Sequence, residues 1–228
     1  MSLRRVKALG RHLQERLERG ILGTRLQEFI WRSRHLYRHG WAQGYLGTVG
    51  HPHRSQIVEA VSSFSPVDSL LEVGCASGAN LVNLRERLPD TRLIGIDINR
   101  HAIATAQRHF AARGDKNIRL LAGRADRLTD IPNAGVDVVL TDAVLMFIAP
   151  DRIHDVVAEL GRVARKGLVL NEYHCAGETA GRFDGGRWVY DIVALLAQQL
   201  PHARIQTRKS TFAGGAWDVY GTLIEVRL

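Results

Sequence analysis

Between an apolar run, Ser69-Leu70-Leu71, and a helical pattern, Leu81, Leu84 and Leu88, lies Glu72-Val73-Gly74-Cys75-Ala76-Ser77-Gly78-Ala79-Asn80. A strand that turns into a helix through small residues can bring backbone N–H groups against a ligand. Glycine serves such a loop because it adopts φ > 0 freely and carries no Cβ to hold a neighbour off. Leu93-Ile94-Gly95-Ile96-Asp97 follows, a second apolar run that closes on an acid. That spacing, about twenty residues, puts the acid where a ribose offers its hydroxyls. The pair constrains the chain to a strand–helix–strand unit built around a nucleoside-bearing ligand.

The remainder extends this pattern. Ile118–Gly123, Val136–Asp142 and Lys166–Leu170 read as further strands. Helical patterns lie between them, one capped by Asn99 with Ile103, Ala106 and Phe110 on its apolar face, another opened by Pro150 with Ile153, Val157, Leu160 and Val163. A short helix is expected at Leu128. Such alternation calls for a parallel sheet covered on both sides. Arg204–Lys209 and Val219–Arg227, joined by Ala213-Gly214-Gly215, read instead as a terminal hairpin, which makes the last strand antiparallel. Ahead of the sheet, Leu3, Val6, Leu9, Leu13 and Leu17 mark one amphipathic helix, and Thr24-Arg25-Leu26-Gln27 is a capping box for a second. Residues 39–50 read as loop, and Pro52 opens a third helix carrying Ile57, Val58, Val61 and Phe64. The expected architecture is α/β: a three-layer, doubly wound, seven-stranded and mostly parallel sheet. A helical extension, residues 1–54, precedes a domain at 55–228.

The glycines read E-x-G-x-x-x-G, not the G-x-G-x-x-G of dinucleotide enzymes, and Glu72 stands two residues before the first. A pyrophosphate favours an acid-free cradle of amides, whereas an α-amino group welcomes a carboxylate. Here the chain resembles the class I S-adenosylmethionine-dependent methyltransferases, over about residues 55–228. Glu72, Gly74 and Gly78 resemble that family's first motif, Asp97 the acid of its second strand, and Ala125-Asp126 its adenine-holding turn. Val136–Asp142 resembles its fourth strand, and Leu160-Gly161-Arg162-Val163 the turn before its fifth. Ala76 replaces a common middle glycine, and Phe147 stands where several small-molecule relatives carry a histidine.

The resemblance implies S-adenosylmethionine as cofactor, held by Glu72, Gly74, Cys75, Ala76, Gly78, Asp97, Ile98, Ala125, Asp126 and Asp142, with Arg54 toward its carboxylate. Methyl transfer is an in-line displacement that depends on alignment and dryness; a base enters only where the acceptor must lose a proton. His174, following the fifth strand, ranks first as base, with Asp142 beside it. His51, His53, His154, Tyr173 and Asp184 are the other candidates. Tyr173, Trp188 and His51 are expected to wall a substrate pocket. No metal is expected, since the acid pattern of catechol-type relatives is not reproduced.

Residues 1–54 hold eleven Lys/Arg against three Glu, so they account for the whole net charge of +8. Arginines interleaved with Phe29, Trp31, Tyr37, Trp41 and Tyr45 suit RNA, and a basic amphipathic helix suits an anionic membrane surface. A lid or homodimer helix with a solvated basic face is the favoured reading. Two cysteines and no signal-peptide pattern point to the cytoplasm. The expected activity is methylation of oxygen or nitrogen on a small molecule, such as a sugar, a polyketide or another secondary metabolite. The alternatives are RNA methylation and cofactor binding without catalysis; an NAD-dependent oxidoreductase is more distant.

Overall fold

Adjacent residues Leu70 and Leu71 are both fully buried, yet in different cores. Successive side chains of a strand point to opposite faces, so two buried neighbours mean that the sheet is covered on both sides. The computed structural model describes residues 3–20 and 22–228. Its elements begin with α1 (Leu3–Arg19), α2 (Arg25–Arg32), α3 (Arg34–Tyr37), α4 (Trp41–Leu46) and α5 (Pro52–Ser62). Then follow β1 (Ser69–Val73), α6 (Ala79–Arg87), β2 (Arg92–Asp97), α7 (Arg100–Ala111), β3 (Ile118–Ala122) and β4 (Val136–Asp142). A 3-10 turn (Leu145–Phe147), α8 (Ile153–Val163), β5 (Ala164–Tyr173), β6 (Arg182–Asp184) and β7 (Arg187–Val189) come next. The chain closes with α9 (Ile192–Gln199), β8 (Arg204–Lys209), α10 (Trp217–Tyr220) and β9 (Gly221–Arg227).

The main sheet has seven strands in the order β3-β2-β1-β4-β5-β9-β8. Pairings from β3 to β5 are parallel, and β9 runs antiparallel to both its neighbours. The doubly wound sheet expected from the sequence is thus present. Strand order reverses between β1 and β4, the place where open sheets of this kind bind ligands, outside the carboxyl ends of their strands. One core packs Leu71, Val139 and Leu168 against Val157, Leu160 and Leu195 of α8 and α9. The other packs Leu70, Val138 and Leu140 against Ile57, Leu81 and Ile103 of α5, α6 and α7.

Several local expectations are corrected. The Thr24 hydroxyl makes no cap bond to α2; it donates to Asp151 Oδ1 at 2.7 Å and accepts from the Ala149 amide at 3.0 Å. A tertiary partner outcompeted the local one. Residues 39–50 contain α4, α8 begins at Ile153 beyond Pro150, no helix forms at Leu128, and α10 lies within the terminal hairpin connection. A separate hairpin, β6–β7, occupies the glycine-rich stretch before Trp188. Leu9 and Leu13 are 65% and 59% exposed, so α1 does not dock through these two leucines. It docks through Glu18, which is buried and accepts from Gln14, Gln27 and the Trp188 indole. The side chains of Leu3 and Val6 lie outside the described residues. The 54/55 boundary falls within α5, whose His53 and Arg54 are buried against the site.

Candidate active site

Gly74, at φ 78°, leaves β1 and turns the chain across the carboxyl edge of the sheet. A Cβ there would stand 2.3 Å from Val144 Cγ2, so the position is closed to other residues by both conformation and space. Ala76 takes φ 47° where glycine would be unstrained, and its amide donates to Asp97 Oδ2 at 2.8 Å. Asp97 Oδ1 accepts from the Asn99 amide at 2.7 Å. The Asn99 side chain then caps α7 through the Ala102 amide, as its position in the sequence suggested. One carboxylate therefore fastens the loop after β1 to the turn after β2. Each of its oxygens keeps acceptor capacity for a ligand.

Over this edge lies a cavity of about 400 Å³, lined by Gly74, Ala76, Asp97, Ile98, Ala125, Asp126, Asp142, Arg54 and His51 among others. Its roof comes from the N-terminal helices: Trp31, Trp41 and Tyr45, with Phe147 and Phe212 from the other side. Trp31 and Phe147 meet edge to face at 4.6 Å. The roof is tied down by polar bonds. Asn99 Nδ2 donates to the Trp31 carbonyl, the Ser77 hydroxyl to the Ala42 carbonyl, and Arg124 pairs with Glu28 at 2.8 Å. Asp126 is held below the usual carboxylate range, first by its bonds from Arg124; Arg152 also donates to it, and burial opposes both. Both Asp126 oxygens are thus committed to guanidinium groups.

At the β4 end, Asp142 is buried and accepts from His53 Nε2 (3.0 Å), Asn80 Nδ2 (3.0 Å) and Asn171 Nδ2 (2.8 Å). Burial works to raise its pKa, but the bonds from His53, Asn171 and Asn80 outweigh it and keep the group ionised. Arg54 is occupied by the Thr48 carbonyl and hydroxyl and by Asn80 Oδ1, and lies 3.5 Å from Asp142. Glu72 is buried just behind the lining. Its Oε1 accepts from Asn80 at 2.8 Å, while Oε2 has no partner. Burial raises its pKa to about 8, with Asp142 and Asp97 adding to the rise and Asn80 and Arg54 opposing it. Cys75 and Gly78 are structural neighbours of the loop rather than lining. The Cys75 thiol is buried under Gly95, and Gly78 is the left-handed N-cap of α6.

Three expected residues are placed elsewhere. His174 Nδ1 accepts from the Ile192 amide at 3.2 Å beside Asp191, so this ring caps α9 and does not line the cavity. Tyr173 packs edge to face on Trp217 at 4.8 Å in a separate cluster. Trp188 is fully buried between Phe183, Tyr190 and α1. Sequence distance from the fifth strand was a poor guide here, because the segment after it turns away along β6 and β7. Conversely, His53, ranked only among the further candidate bases, bonds to Asp142, and Asn80 enters the site without having been singled out as a site residue. Their signal was present: each stands at the start of a helix whose first turn faces the carboxyl edge. Among the described residues, no group of three or more His, Cys, Asp and Glu is arranged to hold a metal ion.

The comparisons agree with this geometry. Residues 70–167 match the family model described as "Methyltransferase domain". That match spans somewhat under half of the chain, which over those residues is similar to S-adenosylmethionine-dependent methyltransferases. A tRNA (guanine-N(7)-)-methyltransferase of Caulobacter vibrioides is 29% identical over 135 residues, which cover 50% of this chain and 57% of that protein. The chain thus spans little more than half the length of that relative. Among solved structures it is similar to the mitomycin 7-O-methyltransferase MmcR (TM-score 0.61, 16% identity, 79% of this chain and 53% of that one). It is also similar to magnesium protoporphyrin IX methyltransferase of Synechocystis with bound S-adenosylmethionine (TM-score 0.60, 15% identity, 83% and 85%). The [4+2]-cyclase SpnF shares the fold too (TM-score 0.61, 16% identity, 75% and 80%), so at this identity the likeness establishes architecture alone.

Proposed function

We propose that the chain transfers a methyl group from S-adenosylmethionine to a small molecule held beneath α2–α4. The observation that carries this reading is the roofed cavity itself. Its floor is the loop after β1 with Asp97, and its walls are aromatic and tied down on both sides. The residues fit the donor. The unpartnered Glu72 Oε2 suits an ammonium, the spare lone pairs of Asp97 suit ribose hydroxyls, and the turn at Gly74 and Ala76 lets a ligand approach the backbone. When bound, the donor supplies an electrophilic methyl on sulfur. This chain supplies alignment and exclusion of water.

The test is thermal denaturation with S-adenosylhomocysteine, followed by an acceptor screen with S-adenosylmethionine that reads S-adenosylhomocysteine release. Ligand at about 100 times its Kd should add about 2.7 kcal/mol, a rise of several degrees. No shift would remove the reading. A shift without turnover on any acceptor would point to binding without catalysis. The second reading, RNA methylation, draws on the tRNA-modifying relative and the basic extension. Turnover on tRNA, with binding that weakens steeply as salt rises, would favour it over the small-molecule one.

Glu72 makes cofactor binding pH-dependent. With its pKa near 8 it holds a proton at pH 7. A donor ammonium at Oε2 stabilises the ionised form, so binding expels that proton and affinity rises as pH goes from 6 to 8. Calorimetry in buffers of different ionisation enthalpy should detect the released proton, and Glu72→Gln should abolish the release.

A further inference from the structure

His51 and His53 flank Pro52 at the start of α5, and both rings pack against Phe212, at 4.9 and 4.5 Å. Their Nδ1 atoms face each other at 2.5 Å, and His53 Nε2 lies 3.0 Å from Asp142 Oδ2. The result is a chain of three groups, Asp142–His53–His51. It begins on a buried carboxylate and ends on a ring that lines the cavity.

The protons in this chain can be assigned by counting. An ionised Asp142 can only accept, so His53 Nε2 carries a hydrogen. Two facing Nδ1 atoms need one hydrogen between them. In the neutral pair it belongs to His51, because His53 already holds its own on Nε2. His51 Nε2 is then left with a free lone pair. A third proton arriving at the pair lands on that atom. Its positive charge is shared along the bridge toward Asp142, the nearest fixed anion.

We propose that His51 is the general base of the site and that the acceptor is a hydroxyl compound. This rests on the methyl-transfer reading above. The acceptor O–H bond breaks and its proton goes to His51 Nε2. The electron pair left on oxygen forms the new O–CH₃ bond, and the C–S pair stays on sulfur. His51 later returns the proton to solvent. His53 and Asp142 are positioning residues: they fix the tautomer and ring orientation of the base. Burial first, then His53 and Arg54, lower the pKa of His51 against the smaller opposing effect of Asp142, so the ring stays unprotonated and ready at neutral pH. Tyr45 and Glu72 lie near Asp142 and Arg54; burial raises both, which leaves Tyr45 neutral as an ordinary phenol is and makes Glu72 neutral at pH 7.

Ring nitrogen–proton correlation spectra of the full chain test the assignment without a known substrate. The expected result at pH 7.5 is a hydrogen on His51 Nδ1 and none on Nε2. In His53→Phe, which offers no acceptor, His51 should lose this fixed tautomer and show both forms. Phenol added to the S-adenosylhomocysteine complex should shift the His51 Nε2 signal, and anisole, which lacks the hydroxyl, should not. A hydrogen found on Nε2 would overturn the proposal. So would an unchanged tautomer in His53→Phe, or phenol and anisole acting alike. The tautomer measurement needs no cofactor, so it stands apart from any failure of S-adenosylhomocysteine to bind.

Discussion

Asp97→Ala should bind S-adenosylhomocysteine at least 100-fold more weakly than the parent chain, while its circular dichroism spectrum stays unchanged. Two ligand hydroxyls on a charged acceptor are each worth about 1.5–3 kcal/mol, and tenfold in affinity is 1.4 kcal/mol. Part of the effect runs through the protein, because the same carboxylate holds the Ala76 and Asn99 amides. Losing those bonds leaves two amides to find water, at a cost of about 1–3 kcal/mol each if they stay buried. The melting temperature should therefore fall modestly even without ligand. Asp97→Asn separates the two contributions: its carbonyl still accepts, so one backbone bond survives while the charge is gone. It should recover about half of the lost stability and a smaller part of the affinity. Equal affinity in all three proteins would remove Asp97 from the cofactor site.

The loop after β1 and the acid ending β2 were legible because short-range chemistry dictates them. A positive φ selects glycine, and a strand-to-helix turn at that spacing from an acid has few other uses. The strands along the chain and the antiparallel β9 were legible for a similar reason, since apolar alternation and turn residues act within a few positions. What sequence reading missed is contact across the chain. Asp142 and His53 are 89 residues apart and meet only because α5 packs against α6 and β5, at the carboxyl edge of the sheet. His174 carries the same ring, but its lone pair is spent on the Ile192 amide. The Thr24 capping box failed likewise, because Asp151 offered the hydroxyl a better partner than its own helix. In each case the residue type was informative and the partner was not.

Trp188 shows how far such a partner can change a residue's meaning, and its removal should give the largest loss of stability. It looks like a pocket aromatic behind a glycine-rich segment, yet its indole N–H donates to Glu18 Oε2 at 2.6 Å and its ring carries Arg19 at 4.7 Å. Glu18 also accepts from Gln27 in α2, at 2.7 Å, and Gln27 and Glu28 line the cavity. The indole is thus the peg on which the N-terminal helices hang. Trp188→Ala should cost about 3–5 kcal/mol. For a chain of this size that lowers the melting temperature by about 6–20 °C. Trp188→Phe keeps most of the buried area but strands Glu18 Oε2, so it should cost about 1–3 kcal/mol. Limited proteolysis should then cut within α1 first, and S-adenosylhomocysteine affinity should fall far less than in Asp97→Ala. A substrate-pocket residue would behave in the opposite way: Trp188→Phe would leave the melting temperature and α1 protection untouched and change only acceptor turnover.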